Sequence, residues 1–548
     1  MMSSLRFIDL FAGLGGFHQA LEGLGHTCVF ASELDVTLAD LYEKNFNIRP
    51  HGDIREAYAE VPPHDILCAG FPCQPFSKAG DQLGFDCPQW GDLFDYVLKI
   101  LDTHKPAYLL IENVPNLIRH DEGKTWKKIK NRLEALEYTV DLGKLSPFMF
   151  GVPQVRERAI IVGARAGLDQ FGWPEPTHRL DQVSIKSVLD ENPEEARKLG
   201  PKFIEYLEVW QSLLDALPKN EELPSFPIWA MEFGATYPYG DQTPHQIGFD
   251  GITSFKGALG RSLKGMNAEE VRKALPAYAL DEAESFPEWK KHFIRQNREF
   301  YKRNKVVIDA WLPKIKDFAP SFQKLEWNWK GGPRDLWQAV IQFRASGVRA
   351  KRPTAAPSLV ALTTSQVPVI PWERRYMTMR ECARLQSMGE LKYLPDNQTA
   401  AHKALGNAVT VRPLSSASRA IFDGAGFLVS FILRALRSAT PRMGFAGTRT
   451  SNPSLNCFGK NWTPMSFRCC VRLTCIAFKL RATNLPTPLK RQSPALWRPC
   501  RQHCREPCQM SPTSSRLKLR KHRWSRSRQR LRHASCLSAF AIRHGCCG

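Results

Sequence analysis

Residues 5–165 predict an α/β fold with a mostly parallel sheet. Three observations carry this: short apolar runs recur along the segment, amphipathic patterns lie between them, and Gly- or Pro-containing turns follow the runs. "RFIDLF", "TCVFAS", "DILCAG" and "AYLLIEN" read as buried strands. "FHQALEGL", "LADLYEKN", "LFDYVLKIL" and "TWKKIKNRLEAL" read as the helices that connect them. Strands alternating with helices form βαβ units, and ligands of such sheets sit at the carboxyl ends of the strands.

The rest of the 548-residue chain divides by composition. Residues 166–370 lose the alternation and gain Trp, Pro and basic residues, which marks a second domain. Within it, 268–318 reads as helical and heavily charged, and "RASGVRAKRPTAAPS" as a basic segment. Residues 371–425 return to strong patterning and are expected to rejoin the first domain. The net charge of +22 is misleading as a whole-chain figure, because 24 of the 76 Lys and Arg but only one of the 54 acids lie beyond residue 430. Ten of the 15 cysteines lie there too. Residues 426–548 therefore read as a disordered or out-of-frame tail, rich in Arg, Ser, Pro and Cys. "RPLSSASRAIF" just before it is expected to make a poor helix, so a frame shift is placed as early as about residue 412. The tail's "CRQHCREPC" does not have zinc-site spacing, and no metal is expected. No apolar run approaches the ~20 residues of a membrane span, and the start of the chain has no secretory-leader pattern. The five scattered cysteines before residue 430 fit a reduced compartment better than a disulfide framework.

Four motifs carry candidate chemistry. "FIDLFAGLGG" sets Gly13, Gly15 and Gly16 between a strand and a helix, with Glu33 twenty residues beyond Gly13 and Asp53 before the third strand. A glycine turn followed by an acid suits a cofactor containing adenosine, although the spacing departs from the dinucleotide fingerprint and an ordinary glycine turn has the same look. In "DILCAGFPCQPFSKAG", Cys68 lies inside the strand as a small hydrophobe, whereas Cys73 lies beyond it on a proline-stiffened turn. Such a cysteine is either a nucleophile or an inconsequential loop residue. "YLLIENVPNL" ends a strand with Glu112 and Asn113, so the acid reaches the same edge as Cys73 and can donate a proton to a ring nitrogen, or is a plain strand-end acid. "GVPQVRERAIIVG" spaces Gln154, Arg156 and Arg158 two apart, which on one strand gives one face with two guanidinium groups.

In order along the chain, "FIDLFAGLGGF", "GFPCQPFS", "IENV", "QVRERAIIVG", "RECARLQSM" and "GNAV" resemble the DNA cytosine-5 methyltransferases of bacterial restriction–modification systems. The resemblance is close over 5–165 and 375–411, and residues 166–370 correspond by position to the family's target-recognition region. It implies a Rossmann-like methyltransferase domain and S-adenosylmethionine as cofactor. Phe11, the Gly13–Gly16 turn, Pro72 and Asn407 would pack around the cofactor, Glu33 would bind its ribose, and Asp53 with Ile54 its adenine. Cys73 would attack carbon 6 of a cytosine flipped out of duplex DNA, and Glu112 would hydrogen-bond ring nitrogen 3. Arg158 would hold the carbonyl oxygen, with Arg156 and Asn113 in support. Ser77 and Lys78 would lie on a loop that closes on DNA; in the same stretch Trp90 stands where the family usually has Arg. Thr378 and Glu381 would form a capping box on a bracing helix. Arg344, Arg349, Lys351 and Arg352 are candidate DNA contacts, each of which a solvated basic loop would explain as well. The resemblance further implies double-stranded DNA as partner, a cognate restriction endonuclease, a monomer, and a cytoplasmic, nucleoid-associated place in a bacterium. Transfer-RNA cytosine methyltransferases share the domain, and the long 166–370 region favours DNA. Damage at the C-terminus would instead leave a chain that binds DNA without activity, and a nicotinamide dehydrogenase is the remote alternative, which failure to bind S-adenosylmethionine would revive.

Overall fold

A computed structural model of the chain describes residues 4–72, 87, 91–361 and 364–423. Cys73, Ser77, Lys78, Trp90 and the tail lie outside the described residues.

The first sheet is made by β1 (Arg6–Leu10), β2 (Thr27–Ser32), β3 (Ile66–Ala69), β4 (Tyr108–Asn113), β5 (Thr139–Leu145) and, after the two-residue β6 (Gln154–Val155), by β7 (Arg158–Ala164). Their order is β2-β1-β3-β4-β7-β5. The β2-β1-β3-β4 pairs are parallel, and β7 runs antiparallel to both of its neighbours. The runs are apolar on consecutive positions because both faces are covered: Phe7, Ile8, Leu10, Leu67, Cys68, Leu109 and Leu110 are fully buried. The covering helices are α1 (Gly16–Glu22), α2 (Val36–Phe46), the single-turn α3 (Ile54–Ala57), α4 (Leu93–His104) and α5 (Lys124–Ala135). In α4, Leu93, Phe94, Val97, Leu98, Ile100 and Leu101 form the buried stripe, and Lys105 ends the helix in the left-handed region at φ 49°.

The second half is built on α6 (Pro201–Ala216), β8 (Ile228–Trp229), α7 (Pro244–Ile252), α8 (Ala268–Ala274), α9 (Glu288–Arg303), α10 (Lys305–Trp311), β9 (Lys324–Asn328), β10 (Val340–Arg344), β11 (Gly347–Lys351), β12 (Ala356–Pro357), β13 (Val369–Ile370) and β14 (Arg375–Tyr376). A second sheet has the order β14-β13-β10-β11-β9-β8, and β12 pairs with β6. The basic segment is thus a hairpin strand, with Gln342 opposite Arg349 and Arg344 opposite Gly347. One face of the second sheet, with Leu325, Ile341, Phe343, Val348 and Ala350, packs against Trp210 and Leu207 of α6.

α11 (Met379–Leu385) and α12 (Gln398–Asn407) follow. Thr378 and Glu381 form the expected capping box on α11, and the same Glu381 takes both terminal nitrogens of buried Arg375 at 2.8 and 2.9 Å. Residues 411–423 form a helix, contrary to the expectation for "RPLSSASRAIF". Leu414, Ala417, Ser418 and Ile421 recur at helical spacing and are buried with Phe422 against the first sheet, where the Phe422 ring meets Tyr108 and His26. The stripe was easy to miss because small residues make half of it.

Candidate active site

A cavity of about 610 Å³ opens at the carboxyl ends of β1, β2, β3 and β4. Phe11 holds a positive φ of 59° just past β1, and Gly13 follows at 54°, so the turn folds back with its backbone toward the cavity. Glu33, just past β2, pins this turn: Oε2 accepts from the Gly13 amide at 2.8 Å and Oε1 from the Asp35 amide at 2.9 Å. Burial raises the Glu33 carboxyl above its ordinary value against the pull of those amides. Asp53 caps α3 through the Arg55 amide at 2.9 Å, and Ile54 beside it is 2% exposed. Phe11, Gly13, Glu33, Asp53, Ile54, Pro72 and Asn407 all line the cavity.

Gly15 and Gly16 do not. A Cβ on Gly15 would lie 2.3 Å from the Phe46 ring, and one on Gly16 would lie 2.4 Å from the Val409 carbonyl oxygen. These two glycines let Phe46 of α2 and Val409, after α12, approach the turn closely. The donor set fits S-adenosylmethionine: a carboxylate past β2 for vicinal hydroxyls, and a second carboxylate beside an apolar Ile for an aminopurine.

Sequence reading missed two further residues that line this cavity, Arg55 and Lys403, and Asp92, which holds Arg55. Arg55 Nη1 reaches Asp53 at 3.1 Å, while Nε and Nη2 grip both oxygens of Asp92 at 3.1 and 3.0 Å. Asp92 stands at the N-cap of α4 yet makes no side-chain cap bond. Its carboxylate is given to Arg55 instead, at the expense of a cap worth about 1 kcal/mol. Lys403 of α12 also lines the cavity. Single-sequence spacing carries no signal for any of these, because each acts through a neighbour brought up by the fold.

At the deep end lie Glu112 and Arg158. β4 and β7 are antiparallel neighbours, so the end of one meets the start of the other. Arg158 Nε stands 2.9 Å from Glu112 Oε1, with the two side chains 18% and 10% exposed. Burial raises the Glu112 carboxyl, and Arg158 and Arg156 oppose that rise. Arg158 Nη1 donates to the Glu157 carbonyl at 2.8 Å, which leaves Nη2 without a partner among the described residues. Asn113 is buried; its Nδ2 donates to the Phe71 carbonyl at 3.2 Å and so fixes the approach to Pro72.

Arg156 behaves differently from the expectation. Gln154 and Arg158 fall on two separate strands, because the chain breaks between β6 and β7, and the three residues do not form one face. Arg156 is 2% exposed. Its Nη1 donates to Ser358 Oγ at 3.2 Å and the Leu359 carbonyl at 2.7 Å, and its Nη2 to the Gly406 and Ala408 carbonyls at 2.8 and 3.0 Å. With four acceptors occupied, Arg156 is a positioning residue that ties the segment after β12 to the end of α12. Cys68 is fully buried in β3, and burial drives its thiol well above the ordinary range, so it packs and does not react.

Arg344, Arg349, Lys351 and Arg352 are on the β10–β11 hairpin and its exit, and none lines this cavity. Arg349 Nε pairs with Glu326 Oε2 at 2.8 Å, and Arg352 Nη2 donates to the Lys330 carbonyl at 3.0 Å. Among the described residues no cluster of His, Cys, Asp and Glu is arranged to hold a metal, and no helix is long and apolar enough to cross a membrane.

Residues 5–223 match the family C-5 cytosine-specific DNA methylase. The type II methyltransferase M.AluI of Cellulosimicrobium cellulans is 31% identical over 476 residues, 74% of this chain and 89% of that protein. M.MspI of Moraxella sp is 45% identical over 175 residues, 32% of this chain and 42% of that protein. Among solved structures, the Entamoeba histolytica methyltransferase EhMeth aligns with a TM-score of 0.40 at 13% identity, over 77% of this chain and 99% of that one. Through its likeness to M.AluI along most of both chains, this protein belongs to the C-5 cytosine-specific DNA methylases, which transfer a methyl group from S-adenosylmethionine to cytosine in DNA.

Proposed function

We propose that the chain methylates cytosine within one specific duplex sequence, through a covalent Cys73 adduct on a flipped base, and that it protects its host's DNA from a cognate restriction enzyme. The observation that carries the proposal is the Glu112–Arg158 pair at 2.9 Å, opening on the cavity that Pro72, bonded in sequence to Cys73, also lines. A cytosine presents a ring nitrogen and a carbonyl oxygen side by side. A carboxyl group raised by burial can donate to the nitrogen, and Arg158 Nη2, which has no partner among the described residues, can donate to the oxygen.

The Cys73 thiolate adds to carbon 6, which ends the ring's aromaticity and makes carbon 5 a nucleophile. Glu112 and Arg158 offset the charge that develops on the ring. S-adenosylmethionine supplies the electrophilic methyl group when bound. Loss of the carbon 5 proton then restores the 5–6 double bond and releases the Cys73 thiolate. A base within a duplex hides carbon 6 from a thiol, so the reaction requires flipping. The name of M.AluI as a type II methyltransferase supports the restriction–modification role.

The test uses purified full chain, labelled S-adenosylmethionine, and duplex DNA or transfer RNA as acceptor. Label in DNA, placed by bisulfite sequencing at cytosines of a single motif, is the expected result. Label in transfer RNA alone, or in DNA without a motif, contradicts the proposal. Plasmid recovered from expressing cells should resist a nuclease that cuts at that motif.

A further inference from the structure

The second sheet has an apolar face against α6 and a polar face turned away from it. Pairing fixes the membership of the polar face. Gln342 and Arg344 of β10 share it with Arg349 and Lys351 of β11, and Lys324, Glu326 and Asn328 of β9 join them through the parallel register. Six of these seven residues are at least partly exposed, and Gln342 is held by the Gln366 carbonyl at 2.9 Å.

The charges on this face do not balance. Arg344, Arg349 and Lys351 are all partly buried, and Glu326 is the one carboxylate among them. Glu326 is already filled: Oε2 takes Arg349 Nε at 2.8 Å, and Oε1 takes Asn328 Nδ2 at 2.8 Å. Arg344 and Lys351 have no hydrogen-bond or ion-pair partner among the described residues. Burial and the Arg349 charge both lower their affinity for protons. Several other buried cations of this half have carboxylate partners, Arg375 with Glu381 and Glu373, Arg298 with Glu232 and Lys290 with Asp281, whereas Lys324 of β9 has only the Trp229 and Tyr278 rings beside it. Unmatched, partly desolvated like charges are costly to the free protein, and an arriving polyanion relieves them.

Arg349 has the geometry of a reader. Its Nε is anchored by Glu326, and its two terminal nitrogens have no partner among the described residues. An arginine held at Nε presents its fork end-on, and guanine offers two acceptors side by side in the major groove. Lys351 lies two residues along the strand, roughly 7 Å away. That is about the rise of two base pairs. Beyond Lys351 and Asn328 the surface continues as a groove of about 870 Å³, lined by Lys219, Lys330, Arg334 and Arg352 and by the carboxylates Glu221 and Glu222.

We propose that the polar face of the second sheet is the surface that reads duplex DNA, with Arg349, braced by Glu326, contacting a guanine edge and Arg344 and Lys351 contacting flanking phosphates. This rests on the reading of duplex DNA as substrate. The experiment methylates plasmid of known sequence with the full chain and maps products by bisulfite sequencing. Arg349→Ala should lower kcat/KM at the wild-type motif by about 10- to 100-fold and spread methylation to motifs changed at one G·C position. Arg349→Lys should not restore it, because a point charge lacks the fork. Glu326→Gln, which keeps size and packing, should relax the same position. Arg344→Ala and Lys351→Ala should leave the motif intact, raise KM for DNA, and reduce the salt dependence of log KM by about 0.9 each. Cofactor affinity, measured alongside, should stay at the wild-type value in Glu326→Gln and Arg349→Lys, and both variants should still unfold cooperatively above the assay temperature. Variants that keep the wild-type motif, KM and salt slope would overturn this proposal alone. A wild-type chain that methylates transfer RNA and no duplex DNA would overturn the parent reading, and this one with it.

Discussion

At the carboxyl edge of the first sheet one carboxylate meets one guanidinium; on the polar face of the second, four cations stand with one carboxylate, which pairs with Arg349 alone. Glu112 and Arg158 meet at 2.9 Å with both side chains largely buried, which is the right setting for an uncharged base that needs hydrogen bonds. Arg344, Arg349 and Lys351 sit on a more open surface with charge to spare, which suits a backbone that carries a charge at every step. The same residue types thus serve two tasks, and the ratio of carboxylates to cations separates them.

The balanced pair is broken hardest by Glu112→Gln. It leaves Arg158 without its partner and removes the acid, and kcat should fall by about 10²- to 10⁴-fold in a single-turnover methyl-transfer assay. DNA affinity should change little, because the second sheet is untouched. Arg156→Ala tests whether this edge needs its scaffold. Three buried carbonyls and the partly buried Ser358 hydroxyl lose their donor, and unfolding free energy should drop by about 3 kcal/mol or more, read by denaturant titration. Adding S-adenosylmethionine should recover part of the loss by mass action.

A smaller effect comes from acid at the cofactor side. Burial holds the Glu33 carboxyl above its ordinary value, so it gains a proton at a higher pH than an exposed Glu. As pH falls through that raised value the acceptor for the ribose hydroxyls is lost, and affinity for S-adenosylmethionine should weaken. Calorimetry from pH 8 to 5 checks this, and Glu33→Gln should flatten the curve. Smallest is Arg55→Ala. It frees Asp53 and Asp92 from their shared partner, and cofactor affinity should fall roughly 3- to 10-fold with kcat nearly unchanged. A larger fall in kcat than in affinity would show that Arg55 acts on the chemistry instead.

The two halves also differed in how far their sequences could be read. β1, β3 and β4 are runs of consecutive apolar residues because parallel strands are buried on both faces, and that pattern is visible one residue at a time. The second sheet is made of strands of two to five residues, and partners such as Ile228 and Leu325 lie nearly a hundred positions apart. No local pattern announces such a sheet, so the hairpin carrying Arg349 read as a basic loop. Within the site, Glu33, Asp53, Glu112 and Arg158 were legible because strand ends converge on one edge. The separate duties of Arg156 and Arg158 were not, since the break between β6 and β7 depends on Ser146 Oγ taking the Arg156 amide at 3.1 Å and on β12 pairing with β6 from far along the chain. Spacing marks Gly15 and Gly16 as places where a side chain is forbidden, and the fold shows that Phe46 and Val409 forbid it.

The central claim is that Cys73 adds covalently to a cytosine held by Glu112 and Arg158. Incubating the chain and S-adenosylmethionine with duplex DNA whose motif carries 5-fluorocytosine blocks the final proton loss and tests it directly. The account predicts a stable protein–DNA adduct with the methyl group retained, mapped by mass spectrometry to the peptide containing Cys73 and absent from Cys73→Ser. Methyl transfer to unmodified DNA by Cys73→Ser, or an adduct on any other residue, would contradict it.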